Sequence, residues 1–174
     1  MFKKLTLIIC GLLVIAVIAL VIQERIWPPQ NVLARSTTLA VLHGDNVFLA
    51  EEQGAWENVT DTVIVKEGDF VKTGDDSWAL ITFEDGTTVE LEPNTEISIK
   101  ELTKERITVW QQVGRTWSGI KKLIGPLTEV NVETPSAAAL VRGTLMDIVV
   151  DAAGNTMVSA LEGIIEVTAE GITR

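Results

Sequence analysis

Short runs of alternating apolar and polar residues dominate the chain from Thr38 onward, and Gly, Asp or Asn cuts these runs roughly every ten residues. A two-residue period is typical of strands with one buried face, and helical periodicity is almost absent. The clearest example joins an apolar face at 79–83 to another at 89–91 through Glu84-Asp85-Gly86-Thr87, and Asp-Gly between alternating runs is the strongest short-range hairpin signal. The pattern predicts an all-β domain, and strand spacing alone leaves a sandwich, a barrel or a stacked β-roll open.

One stretch departs from this alternation. Val113, Trp117, Ile120 and Ile124 lie at helical spacing, which leaves a short helix as an alternative there. Two glycines within the stretch weaken that alternative, because glycine destabilises helix interiors. The rest of the domain is expected to consist of strands.

A second constraint is the apolar run Leu5–Ile22, 18 residues interrupted only by Thr6 and Gly11. A helix of that length is about 27 Å long, which is enough to cross the hydrocarbon core of a bilayer. Lys3 and Lys4 precede the run, so the positive-inside rule predicts a cytoplasmic N-terminus and a single-pass protein of the cytoplasmic membrane. The predicted organisation is a cytoplasmic segment 1–4, a transmembrane signal anchor 5–22, a spacer 23–37 and a periplasmic or extracellular all-β domain 38–174.

A cleaved signal peptide is the alternative interpretation of the N-terminus. Val32-Leu33-Ala34 has the small residues of a cleavage site, but the apolar run is longer than a signal h-region and two prolines precede the candidate cut. Cys10, the single cysteine, is interpreted as a spectator thiol within the span, because Ile9 precedes it where a lipid attachment site needs a small residue. The exported part therefore needs no disulfide.

The chain is acidic, with 14 Lys and Arg against 24 Asp and Glu and a formal net charge of −10. A surface of this charge is a poor partner for nucleic acid or for anionic lipid headgroups. We therefore expect no nucleic-acid ligand, and contact with the lipid bilayer through Leu5–Ile22 alone.

Residues 67–74 read Glu-Gly-Asp-Phe-Val-Lys-Thr-Gly, and residues 83–87 read Phe-Glu-Asp-Gly-Thr. These segments resemble the GD-x-V-x-T-G opening and the F-x-D-G-S hairpin of the FecR domain. Residues 132–144 are similar to its V-x-T-P-x-A-x-x-V-R-G-T segment, with Met146 where the family prefers Phe. The resemblance covers roughly residues 68–167. Its structural motif residues are Gly68, Asp69, Thr73, Gly74, Asp85, Gly86, Thr134, Pro135, Arg142, Gly143, Thr144 and Gly163.

These motif residues have physical roles that do not depend on the family. Gly68 and Gly74 permit turn conformations that a Cβ would exclude, while Asp69 and Thr73 can bond neighbouring backbone amides. In the pair Arg142-Gly143, the glycine would allow close backbone approach and the guanidinium can fork onto carbonyl or carboxylate oxygens. We expect them to support the fold rather than to carry chemistry.

The resemblance implies an all-β extracytoplasmic domain, built as a compact solenoid-like or roll-like stack of short strands, with a sandwich as the alternative. Regulators of the FecR type join such a domain through one transmembrane helix to a cytosolic segment that controls an alternative sigma factor. The four residues ahead of Leu5 are too few for that segment, so the expectation extends to the exported half and not to anti-sigma activity.

No enzyme constellation is recognised in the sequence. The lone His43 has no cysteine partner in the predicted domain, and nothing marks a serine as an activated nucleophile. Asp69, Asp75 and Asp76 offer oxygen atoms to a calcium ion, but their spacing does not match a calcium-binding loop. We therefore predict a non-enzymatic protein without catalytic residues, cofactor or bound metal.

Four tryptophans fall in the predicted domain: Trp56, Trp78, Trp110 and Trp117. Trp78 lies in an alternating apolar run and is expected in the core. Trp110 faces away from the apolar positions of its strand, so it lies either at the surface, if that face of the strand is uncovered, or in a second buried layer. Because tryptophan is enriched at binding hot spots, Trp110 and Trp56 are the candidate partner-binding residues.

These observations predict a membrane-anchored, FecR-like binding or sensing module that acts through protein contact in the cell envelope. The first alternative is a signalling regulator whose helix passes a signal to a separate membrane protein. The second is an envelope module that binds the cell wall or another glycan, in which exposed tryptophans would stack on sugar rings.

Overall fold

The computed structural model describes residues 37–52, 54–120, 129–141 and 144–169, together with the backbone of Ile172–Thr173. All of them lie in one compact unit, Arg35–Arg174, and they contain strands but no helix. The strands are β1 Thr37–His43, β2 Val47–Ala50, β3 Glu57–Asn58, β4 Val63–Val65, β5 Phe70–Thr73, β6 Trp78–Thr82, β7 Thr88–Leu91, β8 Glu96–Leu102, β9 Arg106–Gly119, β10 Glu129–Glu133, β11 Ala138–Val141, β12 Leu145–Val150, β13 Thr156–Glu162, β14 Ile165–Ala169 and β15 Ile172–Thr173.

The predicted all-β class is thus confirmed for the described part of the chain. The predictions for residues 1–36, including the anchor 5–22, and for Arg142-Gly143 lie outside the described residues. In the described segments no helix is long and apolar enough to cross a membrane.

The strands form one curled sheet that branches at β9. The N-terminal half of β9, through Val113, pairs with β8 and β10, whereas the half that begins at Gly114 pairs with β7 and β12. We call the strands β4, β1, β6, β7, the second half of β9, β12 and β13 the first layer. The strands β3, β2, β5, β8, the first half of β9, β10, β11, β14 and β15 form the second layer.

The helix considered for the stretch that begins at Val113 is wrong for residues 113–119, which are strand. Neighbouring strands pair with both edges of this segment, and tertiary pairing of this kind overrides local helical spacing. Gly114 has a φ of 96°, a left-handed conformation that ends any helix and turns the chain from one layer to the other.

Most pairings between the described strands are antiparallel, but β9 and β10 pair in parallel, with Arg106 opposite Glu129. The chain therefore completes one coil here. The first half of β9 lies in the second layer, its second half lies in the first layer, and β10 lies again in the second layer beside the first half of β9. This coil, combined with antiparallel hairpins elsewhere, gives the sheet its curled shape.

The two layers bury their apolar faces against each other. One cluster joins first-layer side chains such as Ile81 and Phe83 to second-layer side chains such as Ile99 and Ile107, all at most 1% exposed. A second cluster around Ile148 joins β12 to β10 and β11. Each fully buried apolar side chain contributes about 1.5–3 kcal/mol to stability. Burial of the alternating apolar residues is therefore the main source of the domain's stability.

Candidate functional site

The first motif holds the turn between β4 and β5 in place. Gly68 has a φ of 91°, as expected of a turn glycine, and the buried Asp69 carboxylate accepts a hydrogen bond from the Lys66 amide at 2.7 Å. The Thr73 hydroxyl donates to the Glu92 carbonyl at 2.6 Å and accepts from the Thr95 amide at 3.1 Å. Thr73 thus forms hydrogen bonds with a turn that is distant in the sequence. The sequence had predicted hydrogen bonds to neighbouring backbone amides instead.

Gly74 is required for a different reason from the predicted one. Its φ is not positive, so it does not adopt a left-handed turn conformation. A Cβ at this position would lie 2.7 Å from the Asn46 Cβ, and the Gly74 amide donates to the Asn46 carbonyl at 2.7 Å. Close approach of the 44–46 loop, rather than backbone freedom, explains this glycine.

The hairpin motif agrees with the prediction. Gly86 has a φ of 79°, and the Thr87 amide donates to the Asp85 carboxylate at 2.9 Å. This hydrogen bond, between the aspartate side chain and the backbone amide two residues further along, stabilises the turn between β6 and β7.

The later motif ties two hairpins together. The Thr134 hydroxyl bonds the Ala137 backbone within one turn and lies 2.7 Å from the Thr156 hydroxyl of β13. Pro135 lies beneath the turn at Gly154, where an added Cβ would be 3.1 Å from the Pro135 Cβ. Thr144 is buried, and Gly163 has a φ of 92°. These contacts join the turn after β10 to the turn before β13.

The outer side of the second layer carries an aromatic surface, which we call the aromatic face: Phe48, Trp56, Phe70, Lys72 and Trp110. Lys72 Nζ lies 4.1 Å from the centroid of the Trp56 ring and 5.2 Å from that of Phe48, so one ammonium group covers two rings. Trp56 is 38% exposed. The two rings are eight residues apart in the sequence, and Lys72 reaches them from β5.

Trp110 lies on the same side of the sheet, in a row across the strands. Phe70, Ser98 and Trp110 are consecutive partners in β5, β8 and β9, and the Trp110 indole donates to Gln112 Oε1 at 3.2 Å. As predicted, Trp110 faces away from the buried Val109, but it is half-buried rather than fully exposed. A cavity of about 240 Å³ is lined by Phe70, the small buried Ser98 and neighbouring residues.

A larger polar groove of about 510 Å³ lies on the outer side of β8, β9, β10, β11 and β14. Glu133, opposite Trp110 in the parallel pair, lies at this groove, so the aromatic face and the groove adjoin. The charged side chains in its lining are Lys100, Glu101, Arg106, Glu129, Glu133 and Glu166. Arg106 is held by Glu129 at 3.1 Å, so the groove presents mainly carboxylate, amide and hydroxyl oxygen atoms.

Trp78 does not lie in the core, which corrects the prediction. It is half-buried on the outer side of the first layer and packs edge-on against exposed His43, with ring centroids 5.4 Å apart. Its neighbours Ala79 and Ile81 point inward. The alternation was correct, but Trp78 belongs to the outward set.

A polar cluster around Trp117 was not predicted from the sequence. The Trp117 indole donates to Glu92 Oε1 at 2.7 Å, and the Arg115 guanidinium lies 4.6 Å from the Trp117 ring centroid. Two hydrogen bonds of 2.9 and 3.0 Å join Arg115 to buried Asp147 and raise the pKa of the guanidinium. The pairing of β9 with β12 brings Asp147 to this cluster, and the pairing of β7 with β9 brings Glu92 to it. No local motif signals either contact.

Two of the three aspartates considered for calcium, Asp69 and Asp76, have other partners. Asp69 binds the Lys66 amide, and Asp76 Oδ1 accepts from the Ser77 hydroxyl at 3.3 Å. Within the described segments, no three His, Cys, Asp or Glu side chains are grouped so that they could hold a metal ion.

The fold and its surfaces define a small all-β domain with an open, aromatic-edged outer face. The family model described as FecR protein matches residues 69–166, more than half of the chain, so the protein belongs to the FecR family. No curated protein and no solved structure matches the chain.

Proposed function

We propose that this protein is a membrane-anchored, extracytoplasmic sensing module of the FecR type that acts through protein contact and has no enzymatic activity. The observation that carries the proposal is family membership across residues 69–166, because it indicates a module of the sensing and signalling regulator type. Leu5–Ile22 supplies the proposed membrane anchor, with Lys3 and Lys4 on its cytoplasmic side.

The aromatic face is the proposed contact surface. Tryptophan and arginine dominate binding hot spots, and aromatic rings bury a large area at little conformational cost. Trp56 is the better anchor of the two predicted tryptophans, since it is 38% exposed whereas Trp110 is bonded to Gln112 and half-buried. Lys72, seated over Trp56, adds a cation that complements an acidic or carbonyl-rich partner.

Site-specific photo-crosslinking in intact cells tests this proposal. A photoreactive residue at Trp56 is expected to capture a discrete envelope protein, and one at Trp110 to capture the same protein in lower yield. Ile64 is the matched control, because it is 61% exposed but lies on the first layer. Equal capture from Ile64, or no adduct from either tryptophan in a folded and exported protein, would contradict the proposed surface.

The role of the membrane segment is tested separately. Exchange of Leu5–Ile22 for an unrelated transmembrane helix should leave function intact if the segment is a tether. Loss of function with normal export and normal crosslinking from Trp56 would support the alternative, in which the helix passes a signal to another membrane protein.

Glycan binding is the second candidate function. The observation that favours it is the groove of about 510 Å³, lined by hydroxyl, amide and carboxylate groups and adjoining Trp110. Polar groups beside an aromatic ring are the usual chemistry of sugar recognition. If the groove binds glycan, Trp110→Ala should reduce co-sedimentation with purified peptidoglycan, whereas Trp117→Ala on the other layer should not; equal binding by both variants would exclude the groove.

A further inference from the structure

The cavity of about 240 Å³ beside the aromatic face lies between the turn before β5 and strand β8. Phe70, a member of the aromatic face, lines it, and so does Ser98, the partner of Phe70 in the β5–β8 pair. Pockets that hold a whole small molecule usually measure about 300–1,000 Å³. This cavity is therefore of a size to hold one side chain of a larger partner.

The Ser98 hydroxyl is an unsatisfied polar group at this cavity. Ser98 is 2% exposed, and its Oγ has no hydrogen-bond partner among the described residues. Its neighbours Ile97 and Ile99 belong to the core, so the Ser98 side chain points to the outer side of β8. A buried hydroxyl without a partner is unfavourable, and a donor brought into the cavity would relieve that cost.

The charged groups that line the cavity are mainly negative. Glu52 and Glu67 supply two carboxylates against one ammonium, that of Lys100. A Cβ added at Gly68 would lie 3.5 Å from Glu52 Oε2, which places the first carboxylate at the turn before β5. Glu67 Oε2 accepts a hydrogen bond from the Leu102 amide at 3.0 Å, which holds the second carboxylate against β8 and uses one of its two oxygen atoms.

We propose that this cavity binds an arginine side chain of the protein that contacts the aromatic face. A guanidinium group is planar and carries five N–H donors. It can therefore stack on the Phe70 ring while it donates hydrogen bonds to the two carboxylates and to Ser98 Oγ. Arginine is also enriched at binding hot spots. The inference rests on the proposed function, because it names the anchor residue of the partner which that function requires.

Charge and geometry favour arginine over other anchors. An acidic side chain would meet two carboxylates, and an apolar one would leave the Ser98 hydroxyl unpaired. A lysine ammonium is a point charge that does not match a flat ring as a planar guanidinium does. The chain carries a net charge of −10, so its field attracts a basic partner. The same partner would offer carbonyl or acidic groups to Lys72 at Trp56.

A model side chain tests the cavity before the partner is identified. The probe is Nα-acetyl-arginine N-methylamide, added to the detergent-solubilised full chain and followed through the NMR amide signals of Gly68 and Ser98. We expect both signals to shift and to saturate with a Kd of the order of millimolar, in keeping with a ligand of this size. The signal of Gly86, in a hairpin of the first layer, should not move.

The contribution of charge is measured with an uncharged analogue. Nα-acetyl-citrulline N-methylamide has nearly the same shape as the arginine probe and should bind at least about tenfold more weakly. In the variant Glu52→Gln/Glu67→Gln, the preference for arginine over citrulline should disappear. This variant keeps the size of both side chains, and an amide oxygen at position 67 can still accept from the Leu102 amide.

The contribution of the buried hydroxyl is measured with two serine variants. Ser98→Ala should weaken binding of the arginine probe about three- to tenfold, because one hydrogen bond is lost. Ser118→Ala is the matched control: Ser118 is 1% exposed and its hydroxyl also has no partner among the described residues, but it does not line the cavity. Removal of an unpartnered buried hydroxyl does not destabilise a domain, so both variants should stay folded.

Three results would each overturn the proposal: equal binding of the arginine and citrulline probes, no saturable shift of Gly68 or Ser98 with the arginine probe, and equal weakening by Ser98→Ala and Ser118→Ala. Failure here is distinguishable from failure of the proposed function. Capture of a partner from Trp56 without probe binding would keep the protein contact and exclude the arginine site. Probe binding without a captured partner would keep the arginine site and remove the proposed contact.

Discussion

Gly114→Ala tests whether the left-handed bend in β9 joins the two layers. Gly114 has a φ of 96°, where an alanine is strained, and its added Cβ would lie 2.4 Å from the Thr95 Cα and 2.7 Å from the Asn94 carbonyl oxygen. Both contacts involve backbone atoms that cannot rotate away. The strands must therefore move apart, at the point where the chain passes from one layer to the other.

The expected loss of stability follows from these contacts. A non-glycine residue in the left-handed region costs about 1–2 kcal/mol. Separation of the strands also removes the two hydrogen bonds between the Thr95 hydroxyl and the Arg115 backbone, at 2.9 and 3.1 Å, each worth about 0.5–1.5 kcal/mol. We expect Gly114→Ala to lower the free energy of unfolding by about 2–5 kcal/mol, a large share of a typical domain's stability.

Urea unfolding of the detergent-solubilised full chain, followed by the fluorescence of its five tryptophans, measures this loss. Gly119→Ala is the matched control on the same strand: its φ is not positive, and the added Cβ would meet one side-chain atom, Thr88 Oγ1, at 2.9 Å. The control should lose less than about 1 kcal/mol, because a rotatable hydroxyl can give way. Equal unfolding midpoints for both variants would refute the role assigned to the bend.

Two further predictions concern the core and one turn. Ile81→Ala should lower the free energy of unfolding by about 2–5 kcal/mol because Ile81 is fully buried, whereas Ile64→Ala, at a residue 61% exposed, should change it by less than about 0.5 kcal/mol in the same urea assay. Hydrogen bonds from Asn155 lower the pKa of Asp151 below its ordinary value of 3.8. The ionised carboxylate therefore stabilises the turn above pH 3.8, and this contribution is lost as the pH falls through the lowered pKa. An NMR titration should show Asn155→Ala raising the pKa of Asp151, because the variant removes the bond from the Asn155 side chain and keeps the one from its backbone amide; an unchanged value would exclude the side-chain bond as a cause.

The local parts of the fold were predictable because short-range chemistry determines them. Asp85 and Gly86 predicted a hairpin, and the structure places the turn there with a left-handed Gly86 and an aspartate bond to the next-but-one amide. Ile97 with Ile99 shows the same agreement, since both are buried on one strand face. A turn, and the alternation of buried and exposed residues along a strand, each depend on residues only a few positions apart.

Contacts that depend on strand order were not predictable in the same way. Arg115 and Asp147 meet because β9 continues into the first layer and pairs with β12. Lys72 lies over Trp56 because β2 pairs with both β3 and β5. The spacing of these residues in the sequence indicates neither pairing. Trp56 could therefore be predicted as part of the candidate surface, but the residues that surround it could not.

The open edge at β13 shows most clearly where sequence reasoning ends. The strand itself was predicted, but Met157, Ser159 and Leu161 alternate with Thr156, Val158 and Ala160, and both sets mix apolar with small or polar side chains. Because neither set is clearly the buried one, alternation does not indicate which faces outward. Met157 and Leu161 are 58% and 54% exposed because no described strand covers that face of β13, and β13 pairs with β12 alone among the described strands. Trp110, a rare residue type in the sequence, lies on a strand paired on both sides, whereas β13 has no second neighbouring strand among the described residues.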